Sequence, residues 1–76
     1  MKAQLRSSNY VIALTPEQYD KLESMDFIYE VEPRLRAVGA YHIDYSGHYG
    51  NNIFFDVKSD TDISLIETEL KIMLGD

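Results

Sequence analysis

The sequence predicts a small α+β domain with a three-stranded antiparallel sheet and helices packed on one face of it. Three observations support this prediction: an apolar run followed at once by a helix start signal, a strand–loop–strand pattern over residues 40–58, and an apolar helical stripe near the end of the chain. The element order is therefore β-α-β-β-α. If the first connection crosses over, the strands take the order 1-3-2, which is a split βαβ arrangement.

The first predicted strand and helix lie directly next to each other. Residues 1–8 are interpreted as a lead-in, and an apolar run rich in β-formers follows at 10–14, which is typical of a strand covered on at least one face. Thr15 then precedes a first-turn proline, Pro16, and Gln18 occupies the capping-box position. These signals predict that a helix begins here.

The segment over residues 19–38 carries two apolar stripes at helical spacing that lie about half a turn apart. The first stripe consists of Tyr19, Leu22, Met25 and Tyr29, and the second of Ile28, Val31, Leu35 and Val38. One straight helix cannot bury both, and Pro33 interrupts it further. We therefore expect a break near 26–27, or between there and Pro33. Residues 27–31 could instead form a short strand, so the state of residues 27–32 stays open at this point.

The second half predicts a hairpin and a final helix. Gly39 is expected to end the preceding helical region. Over residues 40–45, apolar and polar side chains alternate, which is typical of a half-exposed strand. The residues at 46–52 are rich in turn formers and lead to a returning strand at 53–58. One side of the first of these strands carries Tyr41, Ile43 and Tyr45, and the other carries His42, Asp44 and Ser46. The last helix opens within 59–62, buries Ile63, Ile66, Leu70 and Met73, and ends at Gly75.

Charge and size indicate the class of function. The chain has 76 residues, thirteen acidic against seven basic, a net charge of −6 and no cysteine, which predicts one domain over 1–76. Such a field favours cationic partners and repels nucleic acid and anionic membranes. A domain of this size buries only about 60% of its unfolded surface, which leaves little room for an enclosed active site. We therefore expect a binding protein rather than an enzyme.

A metal or catalytic site is not expected. His42, Asp44, His48 and Asp56 are the one grouping whose side chains could bind a metal, since imidazole and carboxylate are zinc ligands. Their spacing matches no established motif, and a hairpin surface often carries such residues without a metal. No serine, threonine or lysine is recognisably paired with them as a nucleophile. The predicted cofactor and metal content is therefore none.

The candidate partner-binding residues combine tyrosine with acidic side chains. Tyrosine buries a large area at low entropic cost and is favoured at interface hot spots, and spaced carboxylates can imitate backbone phosphates. The residues expected to bind the partner are Asp44, Tyr45, His48, Tyr49 and Asp56 around the hairpin, with Asp20 and Glu23 from the first helix. The alternative interpretation is that several tyrosines complete a small core and that the acids form an ordinary solvated surface.

In size, acidity and lack of cysteine or catalytic motifs, the chain resembles phage-encoded inhibitors of host nucleic-acid machinery, including anti-CRISPR proteins. This resemblance is one of character across the whole chain and assigns no residue. It implies a stoichiometric inhibitor that blocks a basic, nucleic-acid-binding site on a partner protein, in the cytoplasm of a host cell. The alternative is an assembly module that forms a homodimer or docks through an exposed sheet edge.

The expected location is intracellular. No stretch approaches the roughly 20 apolar residues that span a bilayer. The start of the chain is too polar for a signal peptide, which needs an apolar centre of about 7–15 residues. We therefore expect neither membrane insertion nor export.

Overall fold

The computed structural model describes residues 1–6 and 9–75, and within these ranges four antiparallel strands form one sheet. The strands are β1 (Ala3–Arg6), β2 (Asn9–Ala13), β3 (Ala40–Ser46) and β4 (Asn52–Val57), in the sheet order β1-β2-β4-β3. The helical elements are α1 (Pro16–Ser24), a π-helix (Phe27–Val31), α2 (Glu32–Ala37) and α3 (Ile63–Leu74). The predicted α+β class with an antiparallel sheet is confirmed.

The sheet differs from the prediction by one strand. The three predicted strands correspond to β2, β3 and β4, and β4 lies between the other two, but residues 3–6 form the additional strand β1. β1 pairs with β2 so that Ala3 lies opposite Ile12 and Arg6 opposite Asn9. The Ala3 N–H also donates to the Glu67 carboxylate of α3. The interpretation of residues 1–8 as a lead-in is therefore wrong for 3–6, while residues 7 and 8 lie outside the described ranges.

The core lies between the sheet and the helices. From the sheet it takes the fully buried side chains of Ile12, Ile53 and Phe55, and from the helices those of Leu22, Val31, Leu35, Ile66 and Leu70. Strand residues that alternate with these lie outside that core cluster, Val11 and Phe54 among them. We call this second side of the sheet the open face. The domain is therefore a two-layer structure.

The predicted start of α1 is confirmed in full. Thr15 Oγ1 accepts the Gln18 N–H at 3.1 Å, and Gln18 Oε1 accepts the Thr15 N–H at 2.9 Å, which completes a capping box. Gln18 is also buried, and its Nε2 donates to the Gly75 carbonyl at the end of α3. One side chain therefore caps α1 and ties it to α3.

Gln18→Glu is expected to lose about 1–3 kcal/mol of stability at neutral pH, although glutamate is a favoured capping-box residue. The reason is that the change removes the donor to Gly75 and buries a charge against a carbonyl oxygen. Urea unfolding would measure the loss. The loss should shrink as the pH falls through the pKa of the introduced carboxyl, because the protonated form regains a donor. A neutral or stabilising effect at pH 7 would show that the α1–α3 bond contributes nothing.

The predicted break in the helical segment is confirmed at residues 25–26, where both residues are extended. The chain then forms the π-helix and continues directly into α2, which has Pro33 in its first turn. The alternative of a strand at 27–31 is wrong. Gly39 follows the end of α2 with φ +103°, and a Cβ there would lie 2.5 Å from the Thr61 hydroxyl oxygen. Glycine is therefore required at this position by both conformation and space.

β3 contains a β-bulge that the alternating pattern did not predict. The register with β4 shifts between Tyr41 and Asp44, and His42 has φ +51°. Tyr41 lies opposite Asp56 on the open face, whereas Ile43 is buried in the core. The predicted sharing of one face by Tyr41 and Ile43 is therefore wrong, because the extra residue reverses the alternation on one side of the bulge.

The last helix begins and ends where the sequence predicts. Asp62 is the N-cap of α3 and accepts the Ser64 N–H at 3.0 Å, and Gly75 is the C-cap. Hydrogen bonds from the Ser64 hydroxyl, and then from its N–H, lower the pKa of Asp62. The cap therefore contributes stability at neutral pH that is lost as the pH falls through that pKa.

In the described part of the chain, no helix has the length and apolar character needed to cross a bilayer.

Candidate functional site

The strongest concentration of charge lies on α1 and the π-helix. Five carboxylates occur over residues 16–31, and Lys21 is the one basic residue in that segment. All six side chains are exposed. We call the five carboxylates the acidic helical surface: Glu17, Asp20, Glu23, Asp26 and Glu30. This surface extends the predicted pair Asp20 and Glu23 in both directions along the chain.

These five carboxylates have no ion-pair partner among the side chains that the structure describes. The arginines of α2 are paired elsewhere: Arg34 contacts Glu69 at 2.6 Å, and Arg36 contacts Glu32 at 3.4 Å. Consequently the negative field of α1 and the π-helix is not neutralised by those arginines. A cationic partner can approach this surface without first displacing an internal ion pair.

The end of β3 packs against α1 and the π-helix through the aromatic side chain of Tyr45, and the hairpin loop that joins β3 to β4 begins beside Tyr19 of α1. The Tyr45 ring lies 5.9 Å from the Tyr19 ring and 4.7 Å from the Phe27 ring, measured between centroids. A Cβ on Gly47 would lie 3.1 Å from the Tyr19 hydroxyl. Partial burial raises the pKa of that hydroxyl, and the Glu23 carboxylate and Tyr45 raise it further. The acidic helical surface and the hairpin loop therefore belong to neighbouring parts of the molecule.

The structure distributes the predicted partner-binding residues over four environments. His48 and Tyr49 are exposed in the hairpin loop, Tyr49 to 97%, while Asp20 and Glu23 are exposed on α1. Tyr45 is half-buried in the aromatic cluster with Tyr19 and Phe27. Its position is that of a support for the loop. The role of each of these residues in binding a partner stays a prediction.

The remaining two predicted residues, Asp44 and Asp56, lie on the open face. Asp44 lies opposite Phe54 in the sheet and accepts the Tyr45 N–H at 2.8 Å. Asp56 Oδ2 lies 3.0 Å from His42 Nδ1, and its Oδ1 atom is buried with no hydrogen-bond partner among the described residues. This histidine–carboxylate pair spans the bulge and links β3 to β4. Asp44 and Asp56 are thus on a different side of the sheet from Tyr45.

The residues that could have formed a metal site do not converge. Within residues 1–6 and 9–75, no three His, Asp or Glu side chains are grouped closely enough to hold a metal ion. His42 and Asp56 form a pair, Asp44 bonds to backbone, and His48 lies in the loop. The pair alone supplies fewer ligands than the four of a structural zinc site or the three of a catalytic one.

Two surface grooves accompany the sheet, of about 250 and 300 Å³. The first is lined by Met1, Ala13, Thr15, Gln18 and Lys71, and the second by Lys2, Gln4, Val11, Ala13 and Asn52. None of the predicted partner-binding residues lines either groove. Five of those residues are exposed at the surface: Asp20, Glu23, Asp44, His48 and Tyr49.

Sequence reasoning missed Ile28 and Tyr29 of the π-helix. They are 63% and 80% exposed, yet the apolar stripes had assigned both to buried helix faces. The sequence did carry a signal for this separate turn, since Asp26 and Glu30 flank residues 27–29. Asp26 Oδ1 accepts the Tyr29 N–H at 3.1 Å, and Glu30 Oε1 accepts the Asp26 N–H at 3.1 Å. These reciprocal bonds close a helical turn that is separate from α1, and one side of this turn faces solvent.

These features define a small two-layer α+β domain, a split βαβ core extended by the strand β1, with an acidic helical surface beside an exposed hairpin loop. No family model, no curated protein and no solved structure matches the chain.

Proposed function

We propose that this protein is a non-catalytic, stoichiometric inhibitor that occupies a basic, nucleic-acid-binding site on a partner protein. The observation that supports this most directly is the acidic helical surface, with five exposed carboxylates beside a single lysine. The exposed His48 and Tyr49 of the neighbouring loop supply polar and aromatic contact area. The partner is inhibited because its site is occupied, and no bond is made or broken.

The spacing of the carboxylates supports this mode of binding. Glu17, Asp20 and Glu23 are three residues apart, so each rises roughly 4.5 Å along the helix axis from the one before. Each is also turned by about 60° around the axis from the one before, so the three carboxylates form a row that winds slowly around one side of α1. Surface charge of this kind accelerates association with a basic partner and selects against acidic ones. Under this proposal the protein acts in a host cytoplasm, as do the phage-encoded inhibitors that it resembles in size and acidity.

A pull-down followed by competition tests the proposal. The tagged protein should retain a basic partner, and retention should weaken as salt rises from roughly 50 mM to roughly 300 mM, because exposed charges are then screened. The purified partner should lose its bound nucleic acid when about one equivalent of the inhibitor is added. Retention that is indifferent to salt, or a ternary complex that keeps its nucleic acid, would contradict the proposal.

The alternative function, an assembly module, has one observation in its favour. Leu65 and Ile72 lie seven residues apart on the same side of α3, and they are 51% and 66% exposed. The sheet edges are less suited to pairing, because β1 has only four residues and β3 is bulged. Light scattering on the purified chain separates the two functions, since a stable dimer at low concentration would favour assembly through α3.

A further inference from the structure

The π-helix is held at its first turn and along its inner side. Its first turn is closed by the reciprocal bonds of Asp26 and Glu30. Inside, Val31 is fully buried and Phe27 packs on Tyr45 with ring centroids 4.7 Å apart. π-Helical turns are rare and occur frequently at functional sites. This turn is therefore a specified feature of the fold rather than a loosely packed connection.

The outer side of the same turn exposes two adjacent apolar side chains, Ile28 and Tyr29, to 63% and 80%. The turn is supported from within, so its outward side chains meet a partner without a cost of ordering the backbone. Tyrosine is enriched among interface hot spots because it combines a large apolar area with a polar tip. Single exposed apolar residues are common on protein surfaces. Here, however, two such residues are adjacent, and the carboxylates of Asp26 and Glu30 flank them.

We propose that Ile28 and Tyr29 are the apolar anchor of the interface with the basic partner, and this inference rests on the proposed function. The partner surface that fits them has an apolar centre rimmed by lysine or arginine, since Asp26 and Glu30 flank the anchor. Burial of the pair excludes water from the flanking charge pairs. The acidic helical surface then accelerates association and fixes the orientation of the partner, while the anchor slows dissociation.

The probes are two synthetic helical peptides of equal positive charge. One carries leucines at helical spacing, and in the other those leucines are replaced by serine. Fluorescence anisotropy should show that the leucine peptide binds about tenfold more tightly or better, because apolar side chains buried at the centre of an interface contribute most of the affinity and slow dissociation. Ile28→Ser with Tyr29→Ser should remove that difference and leave the affinity for the serine peptide unchanged.

Ile72→Ser on α3 is the matched control, because Ile72 is 66% exposed against 63% for Ile28. It should preserve the preference for the leucine peptide, and circular dichroism should show that all variants are folded. If both peptides bind equally, or if the double variant keeps the preference, the anchor is refuted while the electrostatic proposal stands. If neither peptide binds at low salt, the proposed function fails and the anchor fails with it.

Discussion

Asp20→Lys combined with Glu23→Lys should weaken binding to the basic partner by about a hundredfold or more, because like charges facing each other across an interface cost several kcal/mol. Both carboxylates are exposed on α1 and have no ion-pair partner among the described side chains, so the fold should tolerate the change. Titration of the purified partner by calorimetry or anisotropy measures the loss. The residual binding should also depend less steeply on salt.

The matched control compares two single reversals of equal charge change. Asp20 and Asp44 are both exposed, the first on α1 and the second on the open face of the sheet. Asp20→Lys should reduce the affinity clearly. Asp44→Lys should reduce it much less, because Asp44, although the sequence predicts it to bind the partner, lies on the open face and outside the acidic helical surface. Equal losses would show that net charge rather than the acidic helical surface determines binding. No loss from the double reversal would contradict electrostatic inhibition altogether.

Phe55→Ala is expected to destabilise the fold by about 3–5 kcal/mol, the usual cost of truncating a fully buried phenylalanine. Phe55 is fully buried in the central strand β4, and its ring stacks on Tyr10 with centroids 5.9 Å apart. A domain of this size has a total stability of roughly 4–11 kcal/mol, so the loss removes a large part of it and should lower the urea midpoint strongly. Because the chain has no cysteine, no disulfide can offset the lost stability. Urea unfolding followed by circular dichroism measures the effect.

Phe54→Ala is the control, since it removes the same ring from the adjacent residue on the open face. Phe54 is half-buried whereas Phe55 is fully buried, so truncation of Phe54 should cost less than truncation of Phe55. Similar losses at the two positions would show that burial in the core cluster does not determine the cost.

The candidate site was predictable only in part. The exposure of Asp20, Glu23, His48 and Tyr49 followed from their positions on a helix and in a loop, and the structure agrees. Asp44 and Tyr45 could not share one surface, because neighbouring strand residues point to opposite faces. The exposure of Ile28 and Tyr29 was missed because a 100° helical phase does not apply to a π-helical turn. The two stripes to which they were assigned therefore had the wrong geometry over these residues.

Signals confined to a few neighbouring residues determined much of the fold. The capping box of Thr15 and Gln18, the break before the π-helix, and the Asp62 and Gly75 caps all depend on partners within about four positions, where sequence alone is informative. The net negative charge of the surface could also be predicted from the sequence, because it is set by the composition.

Only the tertiary structure decided the features that depend on distant partners. β1 exists because β2 offers it a free edge and because Ala3 bonds to Glu67, 64 positions away along the chain. The bulge in β3 depends likewise on β4, since it is defined by two residues opposing one across the pair. A strand of four residues gains too little from its own sequence to form alone, and its stability comes from the sheet and helix that it meets.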